Sequence, residues 1–353
     1  MTKREAVIKA INHEYVTPVP YVLSMTTEVR RRMEKLTGNP NFAAEAGSYL
    51  TQADCSEFEQ AGGDMLRDRF GVVWDRLPGE DIGRVAYFPI SGEGFGDYVF
   101  PEVNEREVRA RCEALEKKND LFRVFEVSFS LFERAWTLHS MEQTLMDFVL
   151  APDFMHELFD RIVEYNLGVV NIVREYDIDA VYFGDDWGQQ QGLIMGYPHW
   201  STSIKPRLKR MYSAVKAAGM YTCQHSCGDC REIFPDLTEI GLDIYNTFQP
   251  EVYDIVEFKQ RFGDKITFYG GISTQRVLPF CKPDELKAEM HRIIDVLSAD
   301  GGYIIAPTHA MPPDIPEANV LAFLEVCQNE NPRYPHPPTS IPATSVMLPA
   351  PIV

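Results

Sequence analysis

The 353-residue sequence predicts an α/β protein built as a single (β/α)8 (TIM) barrel. Three observations predict it. From about residue 120 onward short apolar strands alternate with amphipathic helices, and repeated strand–helix alternation means parallel strands joined by crossovers. About eight strands can be counted, which favours a closed barrel over an open doubly wound sheet. No G-x-G-x-x-G follows the first strand, which lowers the dinucleotide-fold reading. The length alone would suggest two domains, but α/β barrels run long as one domain. The expectation is one barrel over residues 1–330, with an N-terminal insertion between about 40 and 120, and a Pro-rich tail over 331–353.

The elements follow in order. The N-terminal third shows a helix near 3–13, a strand at Val19 to Leu23 and a helix near 26–37. The insertion holds a strand near Phe70 to Arg76 and another at Val85 to Ile90. Leu121 to Phe129 (LFRVFEVSF) reads as a strand. Leu131 to Val149 and Asp153 to Tyr176 read as helices, by apolar spacing of three and four. Asp179 to Asp186 (DAVYFGDD) is a strand that ends in carboxylates, and a helix from about Ser203 to Ala218 is stopped by Gly219. Tyr221 to Gly228, Ile244 to Gln249, Ile266 to Ile272 and Tyr303 to His309 read as strands, beside helices near 254–262, 283–299 and 316–328. The tail is rich in Pro and lacks periodicity. It is either disordered or an extended arm lying on a neighbour, which would suit a homodimer.

Composition excludes several classes of function. With 45% hydrophobic and 24% charged residues, the chain can fill one large core. Its net charge of −18 argues against a nucleic acid or an anionic membrane surface as partner. A partner protein with a basic docking face fits that charge better. The seven cysteines are odd in number and the chain is large, so a reducing compartment fits and a disulfide framework does not. The N-terminus has no apolar signal region and no run is long enough to span a membrane. A cytoplasmic protein is expected.

In a barrel of this kind the active site sits at the C-terminal ends of the strands. Strand 221–228 ends in His225-Ser-Cys227-Gly228. Residues i and i+2 on a strand share a face, roughly 6.6 to 7 Å apart, so imidazole and thiolate can converge on one metal ion. Zinc takes both ligand types, and catalytic zinc keeps a fourth position open. His309, at the end of strand 303–309, could complete a Cys-His-His set. The bland alternative is a buried Cys acting as a small hydrophobe beside a His that bonds a carbonyl. Asp185 and Asp186 are candidate catalytic carboxylates, for binding substrate or for general base work; helix capping is the alternative. Neighbours on a strand point opposite ways, so at most one of the two faces the barrel axis. Glu126 interrupts an apolar strand, where a carboxylate is costly unless paired or metal-bound, so it is a candidate catalytic acid/base or further zinc ligand, with an internal salt bridge as the alternative. Gln249 and Glu251 are candidate polar contacts to substrate. Tyr182, Trp187 and Tyr269, with Trp136, Trp200, Tyr245 and Phe248, are candidates to line a flat apolar pocket, although aromatics are also ordinary core residues.

Taken together, Asp185-Asp-Trp-Gly188, His225-Ser-Cys-Gly228, Phe248-Gln-Pro-Glu251, Tyr269-Gly-Gly-Ile-Ser273, Ala306-Pro-Thr-His309 and Pro313-Asp314 resemble the uroporphyrinogen decarboxylase superfamily. The resemblance covers nearly the whole chain, is weakest in the insertion and is absent from the tail. It implies one of two chemistries. Metal-free decarboxylases of that superfamily hold a polycarboxylate porphyrinogen with arginines in an M-R-Q-A-G-R-like motif. The matching segment here, Pro18 to Glu28 (PVPYVLSMTTE), has no arginine, and Arg30 to Arg32 come later. That departure counts strongly against a porphyrinogen. The other branch passes methyl groups to or from a corrinoid (cobalamin) protein and binds zinc through a His-x-Cys pair and a distal Cys. His225 and Cys227 fall on the pair, and His309 stands where the distal Cys is expected. The resemblance therefore implies a zinc-dependent methyltransferase acting on a small-molecule methyl donor or acceptor. The chain has no D-x-H-x-x-G corrinoid signature, so the corrinoid would ride on a partner protein. A methoxylated aromatic donor, as in an O-demethylase, is favoured because aromatics crowd the strand ends. The rival readings are a metal-free decarboxylase of a small carboxylic acid and a barrel that binds a small molecule without turnover.

Overall fold

The computed structural model describes residues 1–76, 83–92 and 94–330. The Pro-rich tail expected from Asn331 lies outside the described residues. Helix α1 (Lys3–Ile11) begins at a reciprocal cap: Thr2 accepts from the Glu5 N–H while the Glu5 carboxylate accepts from the Thr2 N–H. The segment 19–23 follows, then α2 (Thr27–Thr37) and α3 (Phe42–Glu45). Strand β1 (Leu50–Asp54) comes next, then β2 (Phe58–Gly62), β3 (Met65–Asp68), β4 (Val73–Asp75) and β5 (Arg84–Tyr87). The chain continues through α4 (Glu105–Glu116), β6 (Phe122–Val127), α5 (Phe132–His139), α6 (Met141–Leu150), α7 (Pro152–Val173) and β7 (Ala180–Gly184). A small hairpin, β8 (Gly188–Gln189) and β9 (Gly192–Leu193), precedes α8 (Gly196–His199) and α9 (Lys205–Ala217). The last third holds β10 (Tyr221–His225), α10 (Phe234–Glu239), β11 (Ile244–Phe248), α11 (Ile255–Phe262) and β12 (Thr267–Ile272). It ends with α12 (Val277–Phe280), α13 (Pro283–Leu297), β13 (Tyr303–Pro307) and α14 (Glu317–Glu325).

Seven strands form one parallel sheet in the order β1-β6-β7-β10-β11-β12-β13. The segment 19–23 closes it. Val22 N–H donates to Ile305 O at 2.8 Å, Ile305 N–H donates to Pro20 O at 2.9 Å, and Tyr49 N–H donates to Tyr21 O at 2.9 Å. Tyr21 thus pairs in parallel with Ile305 of β13 and reaches the start of β1. The eighth stave expected at Val19 to Leu23 is present, and the expected barrel is the observed fold.

The alternation along each strand separates two cores. One face packs inward: Leu50, Val124, Tyr182, Cys223, Ile244, Tyr269 and Ile304 form one cluster, which Val7 and Ile11 of α1 join. The other face, with Phe125, Val127, Val181 and Phe183, packs against the surrounding helices. Each fully buried Leu, Val or Phe stabilises the barrel by roughly 1.5–3 kcal/mol.

Three sequence expectations change. Strand β1 was not anticipated, because LTQAD carries no apolar run and only Leu50 is buried. The strands expected near 70–76 and 85–90 are β4 and β5. They belong to a separate four-stranded antiparallel sheet, β2-β3-β4-β5. The single helix read over Leu131 to Val149 is two helices. Ser140 sits at φ 69° and its side chain accepts from the Gln143 N–H at 3.2 Å, so it ends α5 and caps α6.

Candidate metal centre at the barrel mouth

His225 is the last residue of β10 and lies two positions beyond Cys223, which faces inward, so its ring points to the barrel axis. Asn246 of β11 is in register with it and bonds it directly. The His225 Nδ1 is 2.6 Å from Asn246 Oδ1, and Tyr182 donates its hydroxyl to the same oxygen at 2.9 Å. An amide oxygen can only accept, so Nδ1 carries the proton. The Nε2 lone pair is left facing the mouth, in the tautomer a metal ligand needs.

Two atoms meet that nitrogen. The Cys227 Sγ lies 3.5 Å from His225 Nε2, and an Asp186 carboxylate oxygen lies 3.5 Å from it. The ligand atoms of Asp186, His225 and Cys227 all fall within 4.8 Å of one another. The loops that carry them are locked together. Cys227 N–H donates to Asp186 Oδ1 at 2.7 Å, Trp187 N–H donates to Ser226 Oγ at 2.9 Å, and Asp229 N–H donates to Gln189 O at 2.8 Å. Glycine makes this approach feasible. A Cβ on Gly188 would sit 2.5 Å from Cys227 O, and one on Gly228 would sit 2.4 Å from Gly188 C. The glycines of D-D-W-G and H-S-C-G therefore face each other.

The adjacent carboxylates part ways, as strand alternation requires. Asp185 turns outward, is fully buried, and accepts from the N–H groups of Leu131, Phe132 and Glu133 at 3.3, 3.0 and 2.7 Å and from Trp187 Nε1 at 2.5 Å. It caps α5, so its carboxylate is committed to structure rather than open for catalysis. Burial pushes its pKa up to about 6 against those hydrogen bonds. Asp186 instead faces His225 and Cys227, where the sequence expectation put His309. The His309 ring stands edge-on to that of His225, centroids 6.2 Å apart, at the exposed rim.

The remaining site residues divide between interior and wall. Glu126 is in register with Asp54 of β1 and Tyr182 of β7, and accepts from Ser128 Oγ at 2.7 Å. Burial, aided by Asp54, raises its pKa, with Ser128 and His225 opposing. Tyr269 is buried inside the barrel, pushed well up by burial, and its carbonyl accepts from Asn246 Nδ2 at 3.3 Å. Gln249 is spent on structure, its Oε1 accepting from Gly228 N–H at 2.7 Å. Glu251 accepts from Ser273 Oγ. Its other carboxylate oxygen is buried and has no hydrogen-bond partner among the described residues. Trp187 is fully buried against Trp200, ring centroids 5.8 Å apart, so it is core and not pocket wall. Trp200, Tyr245 and Phe248 are likewise buried.

Sequence reading missed two members. Asn246 is a polar residue inside an apolar strand (IYNTF), the same signal that exposed Glu126. Glu133, in the first turn of α5, left no periodic signal. Its carboxyl is pushed well up by burial and by Asp186 and Asp185. Burial, Asp186 and Glu133 also push the Cys227 thiol above its ordinary range.

The family follows from comparison. The model of the uroporphyrinogen decarboxylase (URO-D) family matches residues 111–330, well over half of the chain. The chain belongs to the uroporphyrinogen decarboxylase family. Within it, the uroporphyrinogen decarboxylase of Ruthia magnifica is 21% identical over 189 residues, 50% of this chain and 49% of that protein. That of Methylococcus capsulatus is 22% identical over 188 residues, 52% and 51%. The chain thus spans about half the length of the curated relatives it matches. Among solved structures, a methyltransferase from Methanosarcina mazei superposes with a TM-score of 0.71 at 17% identity, covering 94% of this chain and 99% of that one. At that identity the likeness shows that the two share the URO-D family's barrel fold. Among the described residues no helix is long and apolar enough to cross a membrane.

Proposed function

We propose that this member of the family is a zinc-dependent methyltransferase. It would move a methyl group between a small substrate and the cobalt of a corrinoid carried by a separate protein. The observation that carries the reading is the meeting of Asp186, His225 and Cys227 within 4.8 Å at the mouth of the barrel. Nitrogen, sulfur and oxygen are the donor set zinc prefers, and three protein ligands leave a fourth position for substrate. The surroundings fit a dication. Burial and the neighbouring carboxylates raise the pKa values of Glu133 and Cys227, and a bound cation offsets that repulsion. Cys227 would supply thiolate, His225 its Nε2 and Asp186 one carboxylate oxygen, with His309 at the rim beside the His225 ring.

When bound, zinc supplies Lewis acidity toward a leaving phenolate or an accepting thiol. The chain's own groups do the rest. Asn246 holds His225 in one tautomer and orientation. Glu126, whose pKa burial raises, stands on the interior wall as the candidate proton donor to a departing oxygen. The interior aromatics Tyr182 and Tyr269 exclude water beneath the site. A methoxylated aromatic donor remains the favoured substrate. The Methanosarcina methyltransferase lends support through its shared fold.

The test is methyl transfer to a reduced corrinoid protein from methoxyaromatic and methylamine panels, and from a methylated corrinoid protein to a thiol panel. Transfer with one panel, abolished by Cys227→Ala, supports the reading; no transfer with any panel overturns it. The rival reading is a metal-free decarboxylase of a small acid; the curated relatives' names support decarboxylation as such. That rival requires release of carbon dioxide by zinc-free protein.

A further inference from the structure

On the mouth side of the barrel, away from the metal group, an apolar helix face is left uncovered. Strand β6 ends at the mouth and α7 returns the chain to the start of β7, so the N-terminus of α7 lies on the mouth side. Helix α6 leads into it. Met146, Val149 and Leu150 of α6 stand at i, i+3 and i+4, which puts them on one face. They are 40, 67 and 70% exposed, whereas the other side of α6 buries Thr144 and Phe148. Beside Leu150 is an open hollow of about 480 Å³, lined by Phe95, Pro152, Asp153, Phe154 and Glu157 among others. Phe95 packs on Phe154 with centroids 5.2 Å apart and on Phe100 at 5.6 Å, so rings hold its wall. Val99, on the same loop as Phe95, is 83% exposed. A single exposed apolar residue is ordinary, but a helix face of three beside a hollow is the kind of surface a partner covers. Along the chain only α5, roughly 12 Å of helix, lies between the cap at Asp185 and the start of α6.

The charge around this face has one sign. No Lys or Arg occurs in residues 91–104 or 141–160, the two stretches that build it. Asp97, Glu142 and Asp153 are exposed and make no ion pair among the described residues. Further down α7 the acids are matched, Glu157 by Arg161 and Asp160 by Arg207 and Arg210. A second copy of this chain would bring acid against acid, and an anionic membrane would be repelled in the same way. An apolar stripe flanked by Lys and Arg complements both features.

We propose that this face docks a partner protein through a basic amphipathic helix. Its apolar side chains would lie on Met146, Val149 and Leu150 and in the hollow, and its cations beside Asp97, Glu142 and Asp153. Such a helix lays its apolar stripe into a groove with anchors at i, i+3 or i+4, and i+7. Taking the partner to be the corrinoid carrier rests on the methyl-transfer reading; the docking itself does not.

Fluorescence anisotropy with the full chain tests it, using three labelled peptides of about 18 residues. One is a Leu/Lys amphipathic helix, one carries Glu in place of Lys, and one keeps the Leu/Lys composition with the apolar stripe scrambled. The basic amphipathic peptide should bind about ten-fold tighter or more than either control. Val149→Ser combined with Leu150→Ser should bring it to within about two-fold of the scrambled peptide, with the melt unchanged because both side chains are exposed. Equal binding of the scrambled or the acidic peptide by the wild type, or a preference that survives in the double variant, overturns the proposal. So does a wild type that sediments as a dimer beside a monomeric double variant, which would make the face a contact between copies of this chain. The carrier assignment is read separately, from methyl transfer. The double variant should raise KM for the corrinoid protein about ten-fold and leave transfer with free cobalamin unchanged. An unchanged KM in a variant that no longer prefers the amphipathic peptide removes the carrier assignment and leaves the docking face standing. Absence of all methyl transfer with the peptide result intact removes the enzymatic reading and leaves it standing too.

Discussion

Asn246→Ala tests whether the amide that touches His225 sets the metal affinity. The substitution removes the acceptor that the His225 Nδ1–H, at 2.6 Å, and the Tyr182 hydroxyl, at 2.9 Å, share among the described residues. Without it the imidazole is free to take the other tautomer and to rotate. Losing such a partner behind a metal-binding histidine typically costs ten- to a hundred-fold in affinity, about 1.4–2.8 kcal/mol. The Tyr182 hydroxyl is buried and would be orphaned, which costs about 1–3 kcal/mol of fold stability. That is a fraction of the roughly 5–15 kcal/mol available, so the variant should fold. Competition for zinc against a chromophoric chelator reads the first effect and a thermal melt the second. Asn246→Asp keeps the acceptor and should hold zinc within a few-fold of wild type. If Asn246→Ala binds zinc as tightly as the wild type, the argument that this amide orients the imidazole is refuted.

Other substitutions probe other links. Gly188→Ala puts a methyl 2.5 Å from Cys227 O, so it should cost about 1–3 kcal/mol in a melt and lower bound zinc by forcing the two ligand loops apart. Asp185→Ala uncaps α5 and strands three backbone N–H groups and Trp187 Nε1, for a loss of about 2 kcal/mol or more in denaturant unfolding. Glu126→Gln should stabilise the zinc-free protein at neutral pH by on the order of 1 kcal/mol. The folded-state pKa of Glu126 is raised, so its contribution is fully present below the ordinary carboxylate value and is lost as pH rises through the folded value. A melt series upward from pH 4 should show that loss in the wild type and a flatter curve in the variant. Zinc affinity should climb between pH 6 and 8, because the raised Cys227 thiol must release its proton to bind metal.

The barrel was legible because its strands are short apolar runs set between amphipathic helices, and β6, β7 and β10 to β13 fall within the expected strands. Strand β1 was hidden because its inward residues after Leu50, Gln52 and Asp54, are polar, and because its neighbours form an inserted sheet with ordinary turn composition. The His225–Cys227 pair could be read from its i, i+2 spacing on a strand end. Its third member could not. Sequence allows Asp185 and Asp186 equal claims, and only the position of α5, whose N–H groups take Asp185, decides that Asp186 faces the metal group. Trp187 was read as pocket wall from its place in the motif, yet it turns outward with Asp185 and packs on Trp200.

The central claim is that Asp186, His225 and Cys227 hold zinc. Elemental analysis of anaerobically purified protein, wild type beside Cys227→Ala and Asp186→Asn, tests it most directly. About one zinc per chain, absent in Cys227→Ala and reduced in Asp186→Asn, is the predicted result. No zinc in the wild type, even after reconstitution with the metal, would contradict the account and move the reading to metal-free decarboxylation or binding.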